Sequence, residues 1–243
     1  MRSRVALCLY VALLAVPGRA MTPSSPPPGD SKEAVAQRAG RGFSVMAKRD
    51  GVLLFATYPD KSCTIEVKGR YGGMAEQGDH PIVAIDGELL EFNVLPLGSF
   101  LSEAAMKEAA RWSPVKVLAA HIMWDAGYAE KMYQEAKMLE GDLRVTLGDH
   151  TTPAGLYYAT WEFGVPGTPP APSADSGAGE HAKVSHRLFA ETLLGTRVVQ
   201  LGTTVTRPAE LEARRRYLAR ALESIEVIDG PLDVERLQRD FQR

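Results

Sequence analysis

Apolar and polar positions along the chain recur with two periods, and the change of period predicts where strands give way to helices. Residues 51–58 and 63–68 are short β-rich runs joined by Pro59-Asp60-Lys61-Ser62, a predicted hairpin. Residues 81–85 and 88–95 flank Asp86-Gly87, a dipeptide that suits the positive φ angles of a two-residue hairpin turn. The glycine-rich stretch 69–78 between the two hairpins is read as a flexible loop.

The period then lengthens. Ser102 can cap a helix whose first turn holds Glu103. Ser113-Pro114 marks a second helix start, with the proline at the first position, where its missing N–H costs nothing. From there to about residue 138, Leu118, Ile122, Ala126, Ala129 and Tyr133 recur at helical spacing. Trp124 and Tyr128 lie one turn apart on a neighbouring face, where packing is expected ahead of a ligand platform.

The last third returns to short periods. Residues 143–147, 155–164, 184–194 and 197–205 are predicted strands, the last two joined tightly by Gly195-Thr196. Pro208 and Glu210 open a helix in which Leu211, Leu218, Leu222 and Ile225 fall within about 60° of one another, one apolar stripe. Arg214 and Arg215 flank that stripe while Arg216 and Arg220 point away, so the four are expected on a solvated surface. Asp229-Gly230-Pro231 closes the main body. A short helix with Val234, Leu237 and Phe241 on one side is expected to pack back on it.

This order of elements has a precedent. A strand ending near Gly148-Asp149-His150, the strand from Gly155 to Gly164 with Trp161 and Phe163, the pair His186–Leu194 and Arg197–Leu201, and a closing helix ending in Leu222-Glu223-Ser224-Ile225 together resemble the PsbP-like fold family. The resemblance covers residues 143–228. That family is named for an extrinsic subunit of photosystem II, and it includes a nuclear-import accessory protein and many exported bacterial proteins. The resemblance implies an α+β fold, an antiparallel sheet with helices packed against it as an α/β/α sandwich. It also implies a binding or assembly role, and it carries no functional residue across. Neighbouring hairpins independently imply antiparallel pairing.

The ends of the chain change the picture of compartment. Arg2 and Arg4 precede an apolar run from Val5 to Val16, and Gly18 and Ala20 suit a signal peptidase site, so residues 1–20 read as a secretory signal. The run is shorter than the roughly 20 residues a membrane span needs, and no second apolar segment is long enough. Residues 21–42, centred on Pro26-Pro27-Pro28, read as a disordered linker. Residues 43–230 then form a single α+β domain with a mobile loop at 165–182, and 231–243 supply the closing helix. The protein is expected to be periplasmic or secreted, in a bacterial setting.

Losing Arg2, Arg4 and Arg19 with the signal would take the formal charge from −2 to −5. A mildly acidic surface argues against nucleic acid, where basic groups supply most of the affinity. Only Cys63 would remain of two cysteines, which excludes an internal disulfide. Its apolar strand setting predicts a buried, inert thiol rather than a nucleophile or an intermolecular bridge.

Motifs for chemistry are sparse. There is no Gly-x-Ser-x-Gly elbow, no P-loop ending and no Gly-x-Gly-x-x-Gly. Five histidines, at 80, 121, 150, 181 and 186, include no His-x-x-x-His pair. Gly-Asp-His occurs twice, so Asp79, His80, Asp149 and His150 are the candidate metal ligands, although Gly-Asp is also ordinary turn chemistry. His121 and Asp125, one turn apart, are expected as a helix-surface pair. Glu88 and Glu91 should face opposite sides of a strand and so cannot flank one bond. No catalytic residue, cofactor or metal is assigned. The reading is an exported non-enzymatic accessory protein that binds a protein or small ligand of the cell envelope. The alternative is a hydrolase or metal-dependent enzyme whose site is unrecognised.

Overall fold

A computed structural model describes residues 42–48, 50–77, 80–132, 144–166 and 184–241. The signal segment and nearly all of the linker (1–41), most of the 165–182 loop, Asp79, and the predicted helical residues 133–138 lie outside the described residues.

The first two hairpins form as the alternation predicts. β2 (Gly51–Ala56) and β3 (Lys61–Lys68) make the first, and β1 (Phe43–Lys48), a strand the alternation did not predict, pairs antiparallel with β2. β5 (His80–Ile85) and β6 (Glu88–Pro96) meet at Asp86 and Gly87, whose φ angles of 53° and 83° are those the dipeptide favours. Between them, most of the predicted loop 69–78 is a strand instead. Tyr71–Gln77 is β4, paired with β5 through a register shift between Tyr71 and Gly73. Glycine serves that bulge: Gly73 has φ 137°, and a Cβ on Gly72 would lie 3.3 Å from the Ala84 Cβ.

Two helices follow, each with the predicted cap. α1 (Glu103–Ala109) has Ala105 N donating to Ser102 Oγ at 3.2 Å, and α2 (Pro114–Met132) has Lys116 N donating to Ser113 Oγ at 3.3 Å. Then come β7 (Arg144–Thr151), β8 (Tyr157–Pro166), β9 (Val184–Leu194) and β10 (Arg197–Val205), with α3 (Leu211–Glu223) after them. Beyond α3 the chain adds β11 (Glu226–Asp229), a strand the sequence reading missed, and then α4 (Val234–Phe241).

The strands form two antiparallel sheets, one ordered β1-β2-β3-β11 and the other β4-β5-β6-β10-β9-β8-β7. This is an α+β fold. Alternation divides each strand between two faces. On the large sheet, Leu90, Phe92, Leu188, Ala190, Val199 and Leu201 face one way. They join Val52, Leu54 and Ile65 of the small sheet and Leu218 and Leu222 of α3 in one core. The opposite face of the large sheet packs Trp161, Phe163, Phe189 and Val198 against Val117, Leu118 and Ile122 of α2. On the far side of the small sheet, Met46, Leu53 and Phe55 are covered by Val234, Leu237 and Phe241 of α4. The closing helix therefore packs back as its stripe predicts.

Candidate functional site

The sheet face beneath α2 should be apolar throughout, yet a row of polar side chains crosses it. Asn93 of β6 stands directly opposite Gln200 of β10, which stands opposite Glu191 of β9. All three are buried. Asn93 Nδ2 donates to Gln200 Oε1 at 3.2 Å, and Gln200 Nε2 donates to Glu191 Oε2 at 3.2 Å.

α2 lowers His121 and Asp125 onto this row, since residues four apart lie on one helical face. His121 Nδ1 lies 2.9 Å from Glu191 Oε2, and both side chains are 0% exposed. Gln200 Nε2 also donates to Asp125 Oδ2 at 3.0 Å, and the Trp161 indole N–H donates to Glu191 Oε2 at 3.3 Å. One amide nitrogen thus serves two carboxylates beside one imidazole. The predicted helix-surface pairing of His121 with Asp125 is corrected: His121 is buried and pairs with the sheet. His121 Nε2 and Glu191 Oε1 have no hydrogen-bond partner among the described residues.

The environment moves the titrations. Burial opposes the charged form of His121, but the charge and hydrogen bond of Glu191 and the charge of Asp125 outweigh it and raise its pKa. Asp125 is raised chiefly by desolvation, against the lowering effects of His121 and Gln200. Next to this cluster Arg187 Nη2 donates to Glu91 Oε2 at 2.8 Å and Nη1 to Thr204 Oγ1 at 3.1 Å.

Outward from His121 the surface is aromatic. Phe100 meets the imidazole edge-on at 4.9 Å between centroids, and Trp124 stacks on Tyr128 at 6.2 Å. Trp124 is 39% exposed and Met123 66%. The expectation of core packing for Trp124 is therefore only partly met: the pair forms a ledge on the outer side of α2.

On the other sheet face lies a cavity of about 260 Å³ whose lining includes Thr146, Thr160, Glu162, Arg215 and Leu218. Arg215 Nε and Nη2 donate to Glu162 Oε2 and Oε1 at 2.7 and 2.6 Å, and Nη1 donates to Glu212 at 3.1 Å. The expected solvated arginine surface needs correction here: Arg214 and Arg215 reach down to Glu88 and Glu162 on the sheet, while Arg216 and Glu212 pair in the open.

Of the candidate metal ligands, Asp79 lies outside the described residues. His80 opens β5 while Asp149 and His150 lie in β7, and β6, β10, β9 and β8 separate those strands. At about 4.8 Å per strand, His80 is not brought to Asp149 and His150. His150 is exposed and stacks on Tyr158 at 5.4 Å. Among the described residues no group of three or more His, Cys, Asp or Glu is placed to hold a metal ion. Cys63 is buried, and desolvation pushes its thiol up to about 12. Glu88 and Glu91 do face opposite ways, toward Arg214 and Arg187.

Sequence reasoning missed Glu191, Gln200, Glu91 and Arg187 as a site. The signal was present: in strands read with the right bounds, Glu191 and Gln200 occupy the same parity as Phe189 and Val198, which belongs to the α2 side.

No protein-family model matches this chain, and no curated protein does. A search of solved structures finds the solution structure of cyanobacterial PsbP (CyanoP) from Synechocystis sp. PCC 6803. The two share 12% identity at a TM-score of 0.39, over 75% of this chain and 95% of that one. The α+β class rests on the strand pairing itself. No helix among the described residues is long and apolar enough to cross a membrane.

Proposed function

We propose that this chain is an exported, non-enzymatic accessory protein that binds a protein partner of the cell envelope through the outer side of α2. The observation that carries the reading is the division of labour on that helix. His121 and Asp125 of α2 turn toward the sheet, and His121 and its β9 partner Glu191 are both 0% exposed, out of reach of a substrate. Its large apolar groups Met123 and Trp124 turn outward. Exposed aromatic and methionine side chains are what partner surfaces anchor on. Export rests on the pattern of residues 1–20, and the PsbP-like order of elements adds the accessory role by resemblance.

The test is capture from the envelope fraction with the mature protein as bait, comparing wild type with Met123→Glu and Trp124→Ala. The reading expects a partner retained by the wild type and lost by both variants while their melting temperatures stay unchanged. Equal capture by all three, stoichiometric metal in the purified protein, or a hydrolytic turnover lost on His121→Gln would overturn it in favour of an enzyme or a different face.

A further inference from the structure

The polar contacts under α2 are placed where they control how the helix sits. The first half of α2 is anchored by Val117, Leu118 and Ile122. Beyond Ile122 the buried apolar residues, among the described side chains, are Ala126 and Ala129. An alanine offers little apolar area, so docking beyond Ile122 leans on Asp125 and its bond from Gln200, with His121 one turn earlier held by Glu191.

Those bonds hold an unbalanced set of charges. Glu191 from β9 and Asp125 from α2 both accept from Gln200 Nε2 of β10. The group that faces them with positive charge is His121. Arg187 of β9 acts on Asp125 at longer range, while its guanidinium is hydrogen-bonded to Glu91 of β6 and to Thr204. From β8 comes Trp161, and from the segment before α1 comes Phe100, neither of which titrates. A neutral imidazole can still donate from Nδ1, but it no longer offsets the charges of Glu191 and Asp125. The network is also incompletely satisfied at His121 Nε2 and Glu191 Oε1, which lowers the cost of opening it.

We propose that the second half of α2 is a proton-controlled latch, closed on the sheet by the His121 imidazolium against Glu191 and Asp125 and opened by loss of that proton. This rests on the reading of α2 as a binding face and supplies its regulation: alkalinisation would loosen the Trp124–Tyr128 ledge and acidification would fix it. The sign follows from linkage. A histidine whose folded pKa is raised contributes docking free energy in full below its ordinary value near 6.5, and loses it as pH rises through the folded value. Asp125, raised as well, acts in the same direction. Each unit between the ordinary and the raised imidazole value changes the opening equilibrium by up to about tenfold.

The experiment uses the mature protein alone, without any partner, so its outcome is independent of whether α2 binds one. Hydrogen exchange is followed from about pH 6 to about pH 9 and corrected for intrinsic exchange, and the His121 imidazole is titrated by NMR. The expected result is an imidazole that titrates above the ordinary value, with protection of residues 122–132 falling as it does. Peptides of β9 and β10 should stay protected. Asp125→Asn, at a partly exposed position, should move the imidazole back toward its ordinary value and shift the opening to lower pH. Pure loss of protection across the whole protein in His121→Gln would read as unfolding, which is why Asp125→Asn is the deciding variant. A protection profile flat with pH in the wild type, or an Asp125→Asn profile that does not move, overturns the latch.

Discussion

Arg215 grips Glu162 through two hydrogen bonds of 2.6 and 2.7 Å, joining α3 to β8 across the edge of the main core. Glu162 is buried while Arg215 keeps about a third of its side chain in solvent. The asymmetry matters, because removing the arginine strands a buried carboxylate, whereas removing the glutamate frees a cation that water can reach. Arg215→Met is expected to cost about 1–3 kcal/mol, and Glu162→Gln less. The double variant Arg215→Met, Glu162→Gln should recover part of the loss, since the neutral amide leaves no stranded charge. Urea unfolding of the four proteins closes the cycle, and strictly additive effects would show that the pair is not coupled.

Gly202 sits between the Arg187–Glu91 pair and the aromatic stack. A Cβ there would meet Phe189 Cδ1 and Cε1 at 3.1 Å and Glu91 Oε2 at 3.4 Å. Phe189 has little room to retreat, since it stacks on Trp161 with centroids 4.2 Å apart. Gly202→Ala should destabilise the fold, and Gly202→Val should cost more, in the range of about 1–3 kcal/mol typical of overpacking. Thermal melts reporting unchanged stability for the valine variant would contradict this packing.

Cys63 pairs with Ala56 on one side and Val227 on the other, inside the small sheet. Buried, with its thiol pushed up to about 12, it should not react with a thiol reagent at neutral pH until the protein unfolds. Prompt stoichiometric labelling of the native protein would show that β11 opens readily.

Two exposed ion pairs tie the small sheet at one end. Lys61 Nζ bonds Asp229 at 2.9 Å, and Arg197 bonds Asp60 at 2.8 Å while lying 3.7 Å over the Tyr58 ring. The hydrogen bond and charge of Lys61 lower the pKa of Asp229. At Asp60 desolvation opposes ionisation, but the hydrogen bond from Arg197, backbone hydrogen bonds and the charge of Arg197 together outweigh it, and its pKa is lowered too. A lowered carboxylate contributes stability that is present above its ordinary value and lost as pH falls through the folded one. Acid unfolding should therefore begin at higher pH in the wild type than its removal by Asp60→Asn with Asp229→Asn would suggest from neutral-pH stability alone: the double variant loses stability at pH 7 but shows a flatter acid limb. Parallel acid limbs in circular dichroism would count against these pairs.

The small sheet also depends on the end of the chain. Phe55 is fully buried between the sheet and α4. Phe55→Ala should cost about 3–5 kcal/mol. Cutting the chain after Gly230 should expose Met46, Leu53 and Phe55 and raise binding of an apolar dye. An unchanged melting temperature in the truncated protein would show that α4 does not hold this face.

Local signals in the sequence carried most of the elements. Alternation gave β9 and β10 with their exact bounds, and Ser102, Ser113 and Pro114 placed the helix starts, because caps and hairpin turns are decided by a few adjacent residues. β11 escaped, because four residues after a helix become a strand only through β3, whose Ser62 Oγ donates to the Gly230 carbonyl 168 residues away. β4 escaped because its glycines resemble a loop until a partner strand absorbs the bulge. The Arg cluster of α3 resembled a solvated surface until the sheet supplied Glu88 and Glu162.

By itself the sequence determined the α+β class, the hairpins, the amphipathic helices and the burial of Cys63, all of which follow from spacing along the chain. Only the tertiary structure decided that His121 and Asp125 face Glu191 and Gln200, and that His80 and His150 lie on strands far apart in the sheet. The physical reason is that a side chain's periodicity fixes which face it occupies, whereas the groups it meets there come from strands 70 or more residues away, chosen by the packing of one element on another.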